Sequence, residues 1–214
     1  MKANLLPITG VGSLPFESIE EAIKYSLRFD IPFLPELTKL EDSTKISDIS
    51  EFLCYSKFIK EVEGRTPFKT QSFQDINPNI RPNQIHFIDD PAKAFNIAKK
   101  NFGLHCCNNI TLKEIDNLSI THLSFDAQLI SRPEEFLVRL IDRGITPVVG
   151  IVSTDGGSFR LSSNYNEWKP LLRKYIMDCW ISPACGLSGF SVQEVEEILS
   201  LLKEVQREII ISHS

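Results

Sequence analysis

Short apolar runs alternate along this chain with stretches of helical periodicity. The runs at residues 6–11, 32–37, 68–73, 85–88, 103–107, 122–126, 147–152 and 180–184 are eight candidate strands. Strands separated by helical patterns argue for a parallel sheet with crossover helices. Eight such units predict a compact α/β fold, a closed (β/α)8 TIM barrel, built as one domain over residues 1–214. Helix starts support the alternation. Ser18-Ile19-Glu20-Glu21, Thr111-Leu112-Lys113-Glu114 and Ser191-Val192-Gln193-Glu194 each place a hydroxyl three residues before a glutamate, the spacing of a capping box. Asp90-Pro91 reads as an N-cap followed by the first helical residue, and Ser131-Arg132-Pro133-Glu134 opens a helix in a similar way. In the last helix Val192, Val195, Ile198, Leu199, Leu202 and Val205 form one apolar stripe.

One unit breaks the pattern. Between the third and fourth runs, residues 74–84 carry Pro78 and Pro82 with Asn77, Asn79 and Asn83, a composition that opposes a helix. The expected barrel therefore lacks the outer helix after its third strand. Ile209-Ile210-Ile211 reads either as an extra strand or as the end of the last helix.

Composition narrows the partners. The 214 residues are 42% hydrophobic and 24% charged, ordinary values for a globular protein. A net charge of −5 gives no electrostatic reason to expect nucleic acid or an anionic membrane surface. The N-terminal apolar stretch is too short for a signal peptide, and nothing approaches the ~18 apolar residues of a membrane span. Five cysteines, two of them adjacent at Cys106-Cys107, do not suggest a disulfide scaffold. A cytoplasmic protein with reduced thiols is expected.

In (β/α)8 enzymes reactive groups gather at the C-terminal ends of the strands. In this chain those ends carry Gly10-Val11-Gly12-Ser13, Glu36, Asp89-Asp90, His105-Cys106-Cys107, Asp126 and Cys185-Gly186. Residues i and i+2 of a strand share a face, so His105 and Cys107 can reach one target while Cys106 turns away. Imidazole with thiolate suits zinc far better than magnesium or calcium. Cys185 offers a third soft ligand, and Asp126, one strand over, a fourth and harder one. Three protein ligands with an open position is the catalytic zinc arrangement. The rival reading of the His-x-Cys pair is a buried structural thiol beside a hydrogen-bonded histidine. Cys54 and Cys179 read as core thiols, and His86 and His122 as packing or surface residues within strands.

Together the motifs resemble the catalytic C-terminal domain of cobalamin-independent methionine synthase, and more closely the short single-barrel members of that superfamily. The resemblance runs from Thr9 to Phe190. It is carried by Gly10-Val11-Gly12-Ser13-Leu14-Pro15, Pro32-Phe33-Leu34-Pro35-Glu36-Leu37, Lys69-Thr70-Gln71, Phe87-Ile88-Asp89-Asp90-Pro91, Leu104-His105-Cys106-Cys107, Leu123-Ser124-Phe125-Asp126-Ala127 and Ser182-Pro183-Ala184-Cys185-Gly186-Leu187. It implies zinc held by His105, Cys107 and Cys185, with Asp126 where the family has a glutamate. It implies that Gly12 and Ser13 contact the amino-acid part of homocysteine, and that Glu36 and Asp89 grip its ammonium. The chain departs from the family at Asp89-Asp90-Pro91, where Asp-Glu-Pro is usual. It departs again at Asn108-Asn109, where the short members have Gly-Asn, and at Gln74-Asp75, where Gly-Pro normally stands. It is also trimmed after its second and third strands.

The expectation is therefore a zinc-dependent methyltransferase that converts a thiol, homocysteine, to its methyl thioether, methionine, with Asp89 and Asp126 at the reacting centre. The methyl donor is a methylfolate or a methylcorrinoid, the latter free or on a partner protein; the residues do not choose. Two rivals stand beside it: a zinc-binding barrel that serves a binding or regulatory role without methyl transfer, and a barrel with no metal. If the trimmed barrel leaves a sheet edge open, a second copy would cover it as a homodimer.

Overall fold

The computed structural model describes residues 5–37, 46–64, 67–72, 81, 83–89 and 102–211. Its centre is one curled sheet of six parallel strands: β3 (Phe68–Ser72), β4 (Gln84–Ile88), β5 (Phe102–Cys106), β6 (His122–Asp126), β7 (Thr146–Ser153) and β9 (Trp180–Pro183). A two-residue strand, β8 (Arg160–Leu161), runs antiparallel to β7. A separate parallel pair joins β1 (Ser13–Leu14) to β2 (Glu36–Leu37). The described helices are α1 (Ile19–Ser26), α2 (Ile46–Val62), α3 (Leu112–Asp116), α4 (Pro133–Asp142), α5 (Tyr165–Lys174) and α6 (Val192–Ile211).

This architecture corrects the expected (β/α)8 barrel with one helix missing. The sheet is a half-barrel, and helices do not alternate regularly with its strands. Among the described residues no helix separates β3 from β4 or β4 from β5, and β7 is followed by the antiparallel β8. The first two predicted strands form no continuous ladder. They contribute the single bridges Ile8–Ile181, Thr9–Ile31 and Phe33–Lys69, with the two-residue pair beyond them. Prolines explain this locally, because Pro7, Pro32 and Pro35 have no N–H to donate to a ladder. The proline-rich segment after β3 and the Asp90-Pro91 helix start lie almost wholly outside the described residues.

Other expectations hold at residue level. The Ser18 hydroxyl accepts the Glu21 N–H at the start of α1. Thr111 and Glu114 close a full capping box on α3, and Ser191 and Glu194 exchange the same two bonds before α6. Pro133 stands in the first turn of α4, with Arg132 rather than Ser131 as its N-cap. Val195, Ile198, Leu199, Leu202, Val205 and Ile209 are the buried stripe of α6, while Val192 is exposed. Residues 209–211 end that helix instead of forming a strand. No helix among the described residues is long and apolar enough to cross a membrane.

Strand parity divides the sheet into two faces. Leu104, Cys106, Leu123, Phe125 and Val149 pack with α4, α5 and α6 into the main core. Ile85, Phe87 and Val148, with Trp180, form a smaller apolar cluster on the concave side. Above that cluster the concave face turns polar, and the candidate site begins there.

Candidate metal centre

β5 ends at Cys106, and the chain continues through Cys107 at the rim. His105 and Cys107 have the same parity, and the structure places Cys107 Sγ 3.0 Å from His105 Nε2. Cys106 points the other way, buried in the core with its thiol donating to the Asn108 carbonyl. Cys185 follows β9 in the next turn, 78 residues on, and its Sγ lies 2.8 Å from that of Cys107. Both thiols are free. One ligand atom from each of His105, Cys107 and Cys185 lies within 4.8 Å of the others, so the three can hold a metal ion. His105 is buried, Cys185 half-buried and Cys107 exposed, which leaves the group open on one side.

Three contacts fix the cysteine turn. The Ala184 N–H donates to the Val152 carbonyl (2.8 Å), the Cys185 N–H to Thr154 Oγ1 (3.2 Å) and the Leu187 N–H to the Ser13 carbonyl (2.7 Å). A Cβ on Gly186 would fall 1.8 Å from Ser13 Oγ, so any side chain there would turn the Ser13 hydroxyl out of its position. His105 is fixed by Ser124, whose Oγ is 2.9 Å from Nδ1. Ser124 can accept from Nδ1–H, which leaves Nε2, beside the sulfurs, as the nitrogen that would ligate a metal once its own proton is lost. Exchanging Ser124 for Ala is expected to weaken metal binding about tenfold to a hundredfold, read by competition with a chromophoric chelator, with the fold intact.

The electrostatics of the sulfur pair are unequal. Hydrogen bonds from Cys107 and from His105 pull the Cys185 thiol down to about 5. The contact with Cys185, together with burial, pushes Cys107 well above the usual thiol range. Within the pair Cys107 holds the proton in preference to Cys185. Metal loading releases that proton, so occupancy falls as pH drops.

The remaining predicted residues lie along the same rim. Glu36 donates its backbone N–H to the Gly12 carbonyl (2.6 Å), and a Cβ on Gly12 would strike the Glu36 side chain. Asp89 lies within electrostatic reach of His105, Lys69 and Cys185, and burial raises its pKa. Asp126 lies within electrostatic reach of Cys185. Its carboxylate is not part of the metal-capable group, and its Oδ1 instead accepts the Gln128 N–H at 2.8 Å. That bond caps the short 3-10 turn Ala127–Leu129.

Three polar residues of this face have a place in the sequence motifs but were given no role there: Ser124, Lys69 and Gln71. Ser124 could have been found by parity, since it shares a face with Asp126 and stands opposite His105 in register. Lys69 is fully buried; its ammonium donates to the Gly10 carbonyl (3.0 Å) and sits 4.4 Å above the Phe87 ring. Burial draws its pKa down to about 8. His86, Cys54 and Cys179 are buried away from the centre, as expected of packing residues. No family model and no curated protein matches this chain.

Proposed function

We propose that the chain is a zinc-dependent thiol methyltransferase with homocysteine as the acceptor. The observation that carries the reading is the convergence of His105, Cys107 and Cys185 from two strand ends onto one point open to solvent. One imidazole and two thiolates are a donor set suited to zinc. When bound, the ion supplies the Lewis acidity that keeps a substrate thiol ionised near neutral pH. The chain's own residues do the rest. Ser124 holds the histidine ring in register, and the Gly12-Ser13 turn, packed against Gly186, forms the wall beside Cys185. Glu36 and Asp89 supply carboxylates for the ammonium of an amino-acid substrate, which orients its sulfur. The methyl donor is proposed as a methylfolate or a methylcorrinoid, the latter free or on a partner protein.

A specific observation favours a second reading. Asp126 accepts the Gln128 N–H through Oδ1 and lies outside the group of three, which fits a centre that holds zinc without transferring methyl groups. Zinc-edge X-ray absorption separates the two. For the transferase, homocysteine adds one sulfur to the two from Cys107 and Cys185. A spectrum indifferent to homocysteine at full zinc occupancy removes the transferase reading and leaves the second.

A further inference from the structure

Cys107 and Cys185 come together from the ends of β5 and β9, and their sulfurs stand 2.8 Å apart. A disulfide bond is about 2.05 Å long, so the pair lies within about 1 Å of bonding. Both thiols are free, and they differ in access. Cys107 is exposed, within reach of a dissolved oxidant, while Cys185 is half-buried. The other cysteines offer no rival partner. Cys54 and Cys179 are buried in the core clusters. Cys106 is next in sequence, but its thiol is buried and turned to the Asn108 carbonyl at 3.3 Å. Adjacent Cα atoms are also only about 3.8 Å apart, short of the roughly 4.4–6.8 Å that a disulfide spans. An exposed sulfur with no thiol beside it is oxidised stepwise to acids that cannot be reduced back. One with a thiol in contact is captured early, as a disulfide.

We propose that Cys107 and Cys185 are a reversible redox modification site, joined in a disulfide by a peroxide. The switch rests on the zinc reading above, since the pair that would hold the ion is the pair that oxidation removes. The Cys107 sulfur attacks one peroxide oxygen, the O–O bond breaks, and the leaving hydroxide takes the thiol proton as water. That leaves a sulfenic acid on Cys107. The Cys185 sulfur then forms the S–S bond, the S–O bond of the sulfenic acid breaks, and a second water departs. Two thiols lose two electrons and two hydrogens, and the peroxide is reduced to two waters. With a metal bound the sulfurs carry no proton, and the two protons come from solvent. A disulfide sulfur is no thiolate ligand, so only His105 of the three metal-capable residues survives the step. Oxidation therefore releases the ion, and a dithiol reductant restores the site.

The test is intact-mass analysis of the zinc-loaded native protein before and after a few equivalents of hydrogen peroxide, with released zinc read by a chromophoric chelator. The expected product is lighter by about 2 Da, the two hydrogens lost, and carries a crosslink between the peptides of Cys107 and Cys185. About one zinc should leave per disulfide, and dithiothreitol should reverse both changes. Cys106→Ser should behave as the native protein does. Cys185→Ser removes the resolving thiol, so Cys107 should gain about 32 Da as a sulfinic acid. The native protein decides the matter if either variant fails to fold. A native product heavier by about 32 Da, a crosslink through Cys106, or a complete disulfide with zinc still bound overturns the proposal. If the reduced protein carries no zinc, the metal reading falls. A lighter, crosslinked product then keeps the redox site, and a heavier one removes both.

Discussion

Exchange of Cys185 for Ser, or of Cys107 for Ser, is expected to reduce the zinc carried by the purified protein from about one per chain to below about a tenth. Each substitution replaces a thiolate with a hydroxyl that stays protonated near neutral pH and is a poor partner for a borderline-soft ion. Only two ligands would remain of the three that converge. Elemental analysis of protein purified without added zinc, beside a thermal melt of each variant, measures this directly. Unchanged metal content in a folded variant would show that the ion sits elsewhere or that none is specifically held. Cys106→Ser is the control, because that thiol faces the core and donates to the Asn108 carbonyl. It should leave the metal in place.

The largest loss of stability is expected at Trp168. Its side chain is fully buried, its ring packs 5.7 Å from that of Phe125, and its Nε1 donates to the Ala127 carbonyl at 3.2 Å. It joins α5 to the convex face of β6 and supports the backbone just beyond Asp126. Truncation to Ala removes the ring, leaves a cavity and takes one hydrogen bond from a carbonyl that Asn164 also serves, together worth about 3–5 kcal/mol. For a chain of this size that corresponds to a melting point lower by roughly 10 °C. Trp168→Phe keeps most of the volume and should lose clearly less. Equal effects of the two variants would mean that the hydrogen bond, not the packing, holds α5.

Much of the site was legible because strand parity is a local property. His105 and Cys107 face one way and Cys106 the other whatever surrounds the strand, since successive side chains alternate across the backbone. The same rule applied to β6 would have exposed Ser124 as the histidine's partner, but a serine within a strand carries no signal of its own. Lys69 and Gln71 were visible as a motif and silent as chemistry. Their meaning lies in what they touch, the Gly10 carbonyl and Asp89, both distant in sequence. The fold was legible strand by strand and misjudged as a whole. Apolar runs locate strands, but the number of ladder bonds each can form depends on which N–H groups survive. Pro7, Pro32 and Pro35 reduced two predicted strands to bridges.

Asp126 shows the limit most clearly. From the sequence it is a carboxylate at a strand end, one strand from His105, and nothing local separates a ligand from a cap. In the folded chain it accepts the N–H of Gln128, because the backbone turns there and presents an unsatisfied donor two residues away. Sequence alone determined the strand faces, the helix caps at Ser18, Thr111 and Ser191, and two of the three metal-capable ligands as a pair. Only the tertiary structure decided that Cys185 meets that pair, that Asp126 does not, and that Gln71 holds Asp89. Periodicity encodes the direction in which a side chain points. Which groups compete for it is set by neighbours that the chain brings together only on folding.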